Sequence, residues 1–319
     1  MALRAGGEAL RKRWRRWVVL LSRRERGTAL ALFRIAVAAV VIYSVSSVMV
    51  ADLVPQLWVD RAHGGMLRTG ENDWLLELCG GATRGTVWPF AVATLAAASA
   101  LMVGVGGRAT PLVTLLTYRS ISTIGSVSGS YDAMIFNALW LLALGEATAT
   151  LSFDCRRKTG KWTSDKPIHA WPRYLLIFQL VVIYTATGLQ KMSASWTFAD
   201  GYSALYWFLQ DPTWARFDMS WTAHVYPLTQ LGTFASWHFE VGAPLLLLVY
   251  YYRVTRHRPG RLRALFNRRD LRIGYALVGI TLHVSIAVLL DMGPFSWISL
   301  AYYLPLWRPR ELERVLRLA

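Results

Sequence analysis

The chain has 319 residues, of which 54% are hydrophobic and only 17% charged, with a mean hydropathy of +0.32 and 15 Trp. A soluble domain of this size carries about 25% charged residues, so the composition excludes an ordinary soluble globular fold and points to a chain bathed in lipid. The net charge of +16 does not denote nucleic acid, because the basic residues fall in short blocks between apolar runs and no nucleic-acid motif accompanies them.

Residues 1–27 form the first segment. Met1–Arg26 carries nine Lys/Arg and two Glu, and Leu10, Trp14, Trp17, Val18 and Leu21 recur at helical spacing. The pattern predicts a basic amphipathic helix lying on an anionic inner leaflet, with an Arg-rich transit peptide as the alternative. Eight apolar runs follow: Thr28–Val50, Thr86–Val105, a Ser/Thr/Gly-rich Pro111–Val127, Tyr131–Leu151, Trp171–Lys191, Tyr226–Tyr252, Ile273–Leu290 and a short Pro294–Leu306. The first is too long for a signal-peptide core. Together they predict an all-α polytopic transmembrane bundle over residues 28–309 and a short cytoplasmic tail over 310–319.

Charge assigns the sides. The loop Asp154–Ala170 holds Arg156, Arg157, Lys158, Lys161 and Lys166, and Arg253–Arg272 holds eight Arg. These fall on the same side as the basic N-terminal segment. The opposite side takes Ala51–Gly85, with five acids against three Arg, and Met192–Val225, where Arg216 is the one basic residue besides His224. By the positive-inside rule both termini are cytoplasmic, which requires an even number of spans. Cys79 and Cys155 then lie on opposite sides, too far apart for a disulfide. No metal-type Cys/His spacing occurs.

Ionisable residues inside a membrane are functional candidates by default. Lys191 ends the fifth run on the outer side and is the one Lys of that side. Tyr184, Thr187, Gly188 and Lys191 share a helix face, and Trp196, Asp200 and Tyr202 follow closely. Lys191 reads either as a side chain snorkelling to the interface or as a partly desolvated amine acting as a base. Arg34, two turns into the first run, has snorkelling as its simple reading. Glu240, beside His238, needs a partner at mid-depth, and an Arg34–Glu240 pair is one expectation. His283 reads as an interhelical hydrogen bonder or a ligand, and Asp291 as a turn residue. Phosphate loops, nucleophile elbows and metalloprotease helices are absent from the sequence.

Ala29-Leu-Ala-Leu-Phe-Arg34-Ile35 resembles the opening motif of the horizontally transferred transmembrane (HTTM) family, which includes the membrane domain of vitamin K-dependent γ-glutamyl carboxylases. Tyr184-Thr-Ala-Thr-Gly188-Leu-Gln-Lys191-Met-Ser-Ala-Ser-Trp196, followed by Gly201-Tyr202-Ser203, is similar to the carboxylase stretch in which Tyr and Gly precede a Lys, a Trp and Gly-Tyr-Ser. His238-Phe-Glu240 and His283 fit the same pattern. The resemblance implies that Lys191 deprotonates a reduced vitamin K or menaquinone at the outer leaflet. The oxygenated quinol would then abstract a glutamyl γ-proton, and the carbanion would add carbon dioxide. Tyr184, Gly188, Trp196, Gly201, Tyr202 and Ser203 would shape the quinone pocket.

The sequence also departs from the carboxylases. Their large lumenal β-rich region has no counterpart after the last run. Their catalytic Asn-His pair falls near Ser128-Gly-Ser-Tyr131, where no His occurs, and Gln190 replaces the Lys before the catalytic one. The Ala/Arg-rich composition suggests a multi-pass protein of a bacterial plasma membrane, and the charge alternation puts the active face on the extracytoplasmic side. The resemblance to lone bacterial members points to an exported peptide or small molecule as substrate. The rival expectation is a non-catalytic lipid- or quinone-binding factor in secreted-peptide maturation; a transporter is disfavoured because no broken-helix repeat is visible.

Overall fold

The structure is a computed structural model that describes residues 11, 14, 15, 18, 19, 21–66, 73–123 and 129–317. β1 (Arg24–Arg26) leads into α1 (Thr28–Val50), short α2 (Val54–Leu57) and α3 (Trp74–Leu78), then α4 (Arg84–Val103), α5 (Ala109–Ser122) and α6 (Ser130–Leu144). α7 (Phe153–Thr159) and β2 (Pro167–His169) precede α8 (Trp171–Gln190). Two 3₁₀ turns separate α8 from α9 (Ala204–Gln210). α10 (Tyr226–Val241), α11 (Leu245–Val254), α12 (Arg261–Arg268), α13 (Leu271–Leu289), α14 (Phe295–Ala301) and α15 (Pro309–Val315) complete the order. The expected all-α class holds. Four helices, α1, α4, α8 and α13, are long and apolar enough to cross a membrane, and α6 and α11 are shorter apolar helices.

Several boundaries differ from expectation for local reasons. The sixth run is two helices, broken at Gly242-Ala243-Pro244. Proline has no N–H to give and its ring collides with the carbonyl four residues back, so a helix cannot run through it undisturbed. The eighth run is the seven-residue α14 followed by a 3₁₀ turn over Leu304–Leu306. Of the third run, 124–127 lie outside the described residues. The helix expected over the first 26 residues also lies largely outside them. Trp14, Val18 and Leu21 are helical and exposed, but Arg24–Arg26 is a strand paired antiparallel with Pro167–His169.

The chain divides into two compact units, Met1–Leu176 with Trp307–Ala319, and Ile177–Leu306, the boundary falling within α8. In the first unit α1 packs on α4 and α6, and α5 on α4 and α6. The shared core includes Phe33, Val37, Val41, Leu101, Ile121 and Leu139, all fully buried. α1 is apolar on every side, the pattern of a helix that water does not touch. The Ser/Thr residues of these helices stay compatible with an apolar medium by bonding back to their own backbone. Thr94 donates to Phe90 O, Thr114 to Thr110 O and Ser120 to Leu116 O, each within 2.9 Å. The amino end of α1 is clasped by α15: Glu313 accepts from Arg26 and from the Thr28 hydroxyl, both at 2.7 Å. A carboxylate at a helix amino terminus is also favoured by the helix dipole.

In the second unit α10 packs on α9 and α13, α11 on α12 and α13, and α13 on α14. The segment between α9 and α10 is pinned to the end of α13. Arg216 N donates to Leu289 O at 3.1 Å, Asp291 N to Trp214 O at 2.8 Å, and Arg216 faces Asp291 at 3.7 Å. Asp291, expected as a turn residue, instead follows the Ala215–Leu290 bridge in extended pairing and has an ion partner besides. Leu209, Met219 and Leu290 bury a small apolar cluster beneath this strap.

Candidate functional site

The second unit brings together most of the residues that the sequence singles out. α8 ends at Gln190, and Lys191 follows at once. Its Nζ lies 2.7 Å from Glu240 Oε1 and 2.6 Å from Oε2, and 4.2 Å from the centre of the Trp196 ring. The Lys191 side chain is 18% exposed and that of Glu240 7%. The ammonium therefore carries one carboxylate and one aromatic face, an ion pair capped by a cation–π contact.

Three local features build this pair. Gly188 lets α8 and α10 approach, since a Cβ there would stand 2.9 Å from Glu240 Cβ and 2.9 Å from the Val241 backbone nitrogen. Glu240 sits in the last turn of α10, just before the Gly242–Pro244 break. The exposed carbonyls of a helix C-terminus disfavour an anion by about 0.3–1 kcal/mol, so the position calls for the cation that Lys191 supplies. The two 3₁₀ turns, Ala194–Trp196 and Phe198–Asp200, fold the chain back so that Trp196 covers Nζ.

A second group lies along the same helices. The Tyr184 hydroxyl bonds His283 Nε2 at 2.6 Å and also the Tyr303 hydroxyl. Gly279 makes room, because a Cβ there would overlap the Tyr303 ring. Phe239 packs edge-on to Tyr184 at 5.0 Å and stacks on Tyr275 at 4.4 Å. A phenol donates one proton, so Tyr184 gives to one neighbour and accepts from the other, and the order reverses with the His283 tautomer. Among the described residues, Trp237 Nε1, Tyr275 Oη and His283 Nδ1 are buried without a hydrogen-bond partner.

The Gly201-Tyr202-Ser203 turn is held by local contacts. Gly201 and Tyr202 both take positive φ, 58° and 57°. Gln230 donates to Gly201 O at 2.6 Å, and the Ser203 hydroxyl donates to Asp200 at 2.6 Å. The Tyr202 ring stands edge-on to Phe234 at 5.3 Å. His238 bonds the Phe234 carbonyl through Nδ1 at 2.8 Å.

Each member of the expected Arg34–Glu240 pair has partners within its own unit. Glu240 is taken by Lys191. Arg34 is fully buried rather than snorkelling, and it donates to Leu151 O at 2.6 Å and Met102 O at 3.4 Å within the first unit. Gly104 is required there, with φ +81° and a Cβ position 1.9 Å from Arg34 Nη1. Sequence reasoning assigned helix charges by depth and missed that backbone carbonyls in a loop and near a helix end can accept from a buried guanidinium. It also passed over Asp132, a buried carboxylate that accepts from Tyr118 at 2.7 Å and from Gly129 N at 2.8 Å. The Asp three residues past Gly129 was its available signal, because an acid at the third helical position reaches back to the N-cap backbone. No group of three or more His, Cys, Asp or Glu able to hold a metal occurs among the described residues, and both cysteines are free thiols.

The chain matches the HTTM domain family model over residues 23–257. It belongs to the HTTM domain family. No curated protein and no solved structure matches it. Membership makes the chain a membrane protein related to the membrane domain of the carboxylases. The HTTM match takes in Arg34, Tyr184, Lys191 and Glu240, and it ends before α12, His283 and Tyr303.

Proposed function

We propose that this HTTM protein is a carboxylase-like enzyme that uses a reduced lipid quinone to modify an exported peptide or small substrate, with the Lys191–Glu240 pair as its base. The observation that carries this reading is the contact of Nζ with both Glu240 oxygens under the Trp196 ring. We place Lys191 on the outer face of a bacterial plasma membrane, with both termini inside, from the alternation of basic and acidic loops.

A lipid quinone fits these residues. Large apolar side chains close to Lys191 in sequence stand open: Leu189, Met192 and Phe198 are 63%, 88% and 83% exposed. Such a surface suits an isoprenoid-bearing aromatic ring arriving from the bilayer. When bound, the reduced quinone would supply the hydroxyl proton and the electrons for reaction with oxygen.

The chain's own part is proton handling. An ammonium has no lone pair, so Lys191 first passes a proton to Glu240, giving a neutral amine beside a carboxylic acid. The amine then accepts the hydroxyl proton of the substrate. The net change is one proton gained by the pair, held finally on Glu240, with the positive charge restored at Nζ. Trp196 stabilises the ammonium form of Nζ at both the start and the end of the transfer. Apolar neighbours limit water, which would otherwise quench a reactive intermediate.

The same pair supports a second reading, a non-catalytic lipid- or quinone-binding factor. A Lys held by a carboxylate is a fixed cation, and a fixed cation needs no turnover to orient a headgroup. Purified protein incubated with reduced menaquinone and oxygen separates the two. Oxygenated quinone from wild type but not from Lys191→Ala is expected. Binding of menaquinone without any turnover would establish the second reading instead.

A further inference from the structure

α12 lies between α11 and α13, and it has one side turned to α11 and one open side. Arg263 and Asn267, one turn apart, face α11: Arg263 Nε donates to the Thr255 hydroxyl at 3.0 Å, and Asn267 Nδ2 to Tyr252 O at 3.1 Å. Leu262 and Leu265, three residues apart on another face, are 60% and 59% exposed. Arg261 and Arg268 adjoin Leu265 at one turn before and three residues after it, and Arg256, Arg258 and Arg269 flank the helix, all exposed.

Among the described residues the charge around α12 is largely uncompensated. The one acid between Arg253 and Arg272 is Asp270, and it pairs with both Arg253 and Arg272 at 2.9 Å. Arg256, Arg258, Arg261, Arg268 and Arg269 have no acidic partner among the described residues. α11 is an apolar helix and α13 is long and apolar enough to cross a membrane. The segment joining them is therefore held at a bilayer surface. A helix there with an open apolar edge and an open arginine edge matches the boundary between acyl chains and anionic headgroups.

We propose that α12 and its five arginines without an acidic partner among the described residues form a seat for anionic phospholipid headgroups, with Leu262 and Leu265 entering the acyl region. The seat would hold the α11 half of the broken helix in place while the α10 half carries Glu240. The inference rests on membrane placement and on α12 itself, and is independent of any quinone chemistry.

Hydrogen exchange of the full-length protein tests it, in nanodiscs of phosphatidylcholine alone and of phosphatidylcholine with phosphatidylglycerol. The amides of residues 256–269 should exchange more slowly when phosphatidylglycerol is present. Equal exchange in the two bilayers would overturn the proposal. The variant R256Q/R258Q/R261Q/R268Q/R269Q should lose the difference. If that variant does not fold, the wild-type comparison decides alone. A control variant, R156Q/R157Q/K158Q/K161Q/K166Q, removes as much charge elsewhere and should keep the difference. Loss of the difference in the control would show general charge attraction and no seat at α12.

Discussion

Lys191 and Glu240 are each costly alone in an apolar setting and tolerable together. Removing one partner of a buried ion pair leaves the other charge uncompensated, at a cost of about 3–5 kcal/mol, whereas replacing both by apolar residues of similar volume is often neutral. Lys191→Met should therefore destabilise the protein markedly, and Lys191→Met/Glu240→Leu should recover most of the loss. Thermal unfolding in detergent checks this, and additive losses in the double variant would contradict the pairing. The sequence made Lys191 and Glu240 stand out for one reason, ionisable groups in apolar runs. It did not pair them, because their partnership depends on where α10 breaks and how closely α8 approaches it.

That approach is a property of elements. Gly188 is the point where α8 meets α10, and a methyl group there would press on the Glu240 Cβ and the Val241 backbone. Gly188→Ala should cost about 1–3 kcal/mol by overpacking and should also loosen the Lys191–Glu240 contact. Gly274→Ala, at a helical position with open space around the glycine, is the matched control and should be near neutral. Equal effects of the two would argue against a tight α8–α10 contact.

The segment between α9 and α10 has its own electrostatic fastening. The backbone N–H groups of Thr213 and Ser220 hold the Asp211 and Asp218 carboxylates below the ordinary carboxylate range. A carboxylate with a depressed folded value stabilises fully above the unfolded value, about 3.9, and the contribution is lost as pH falls through the folded value. Amide exchange in residues 211–220, corrected for intrinsic chemistry, should be flat from neutral pH to about pH 5 and should rise below about pH 4. Loosening that began near neutrality would contradict these turns.

At the scale of the whole molecule, long apolar runs gave the clearest signal. α1, α4, α8 and α13 coincide with four predicted spans to within a few residues, because periodicity is irrelevant when every face is apolar and length alone speaks. The break at Gly242–Pro244 was legible in principle from Pro244, but a continuous hydropathy window runs across it. The β1–β2 pairing was not legible, since Arg24-Glu25-Arg26 has no strand pattern of its own and is fixed by a partner 141 or more residues away. The clasp of Glu313 on Arg26 and Thr28 is of the same long-range kind. The candidate site was legible as a set of residues around Lys191, and its geometry was not.

Whether Lys191 acts as a base or as a fixed cation is decided most directly by quinol oxygenation in Lys191→Arg. Arginine can keep the ion pair with Glu240 and the stacking on Trp196, but it does not give up its proton under any condition a protein tolerates. The expected result is a folded protein that retains menaquinone binding and forms no oxygenated quinone, while wild type does. Wild-type rates of quinol oxygenation in Lys191→Arg would contradict the proposed proton transfer.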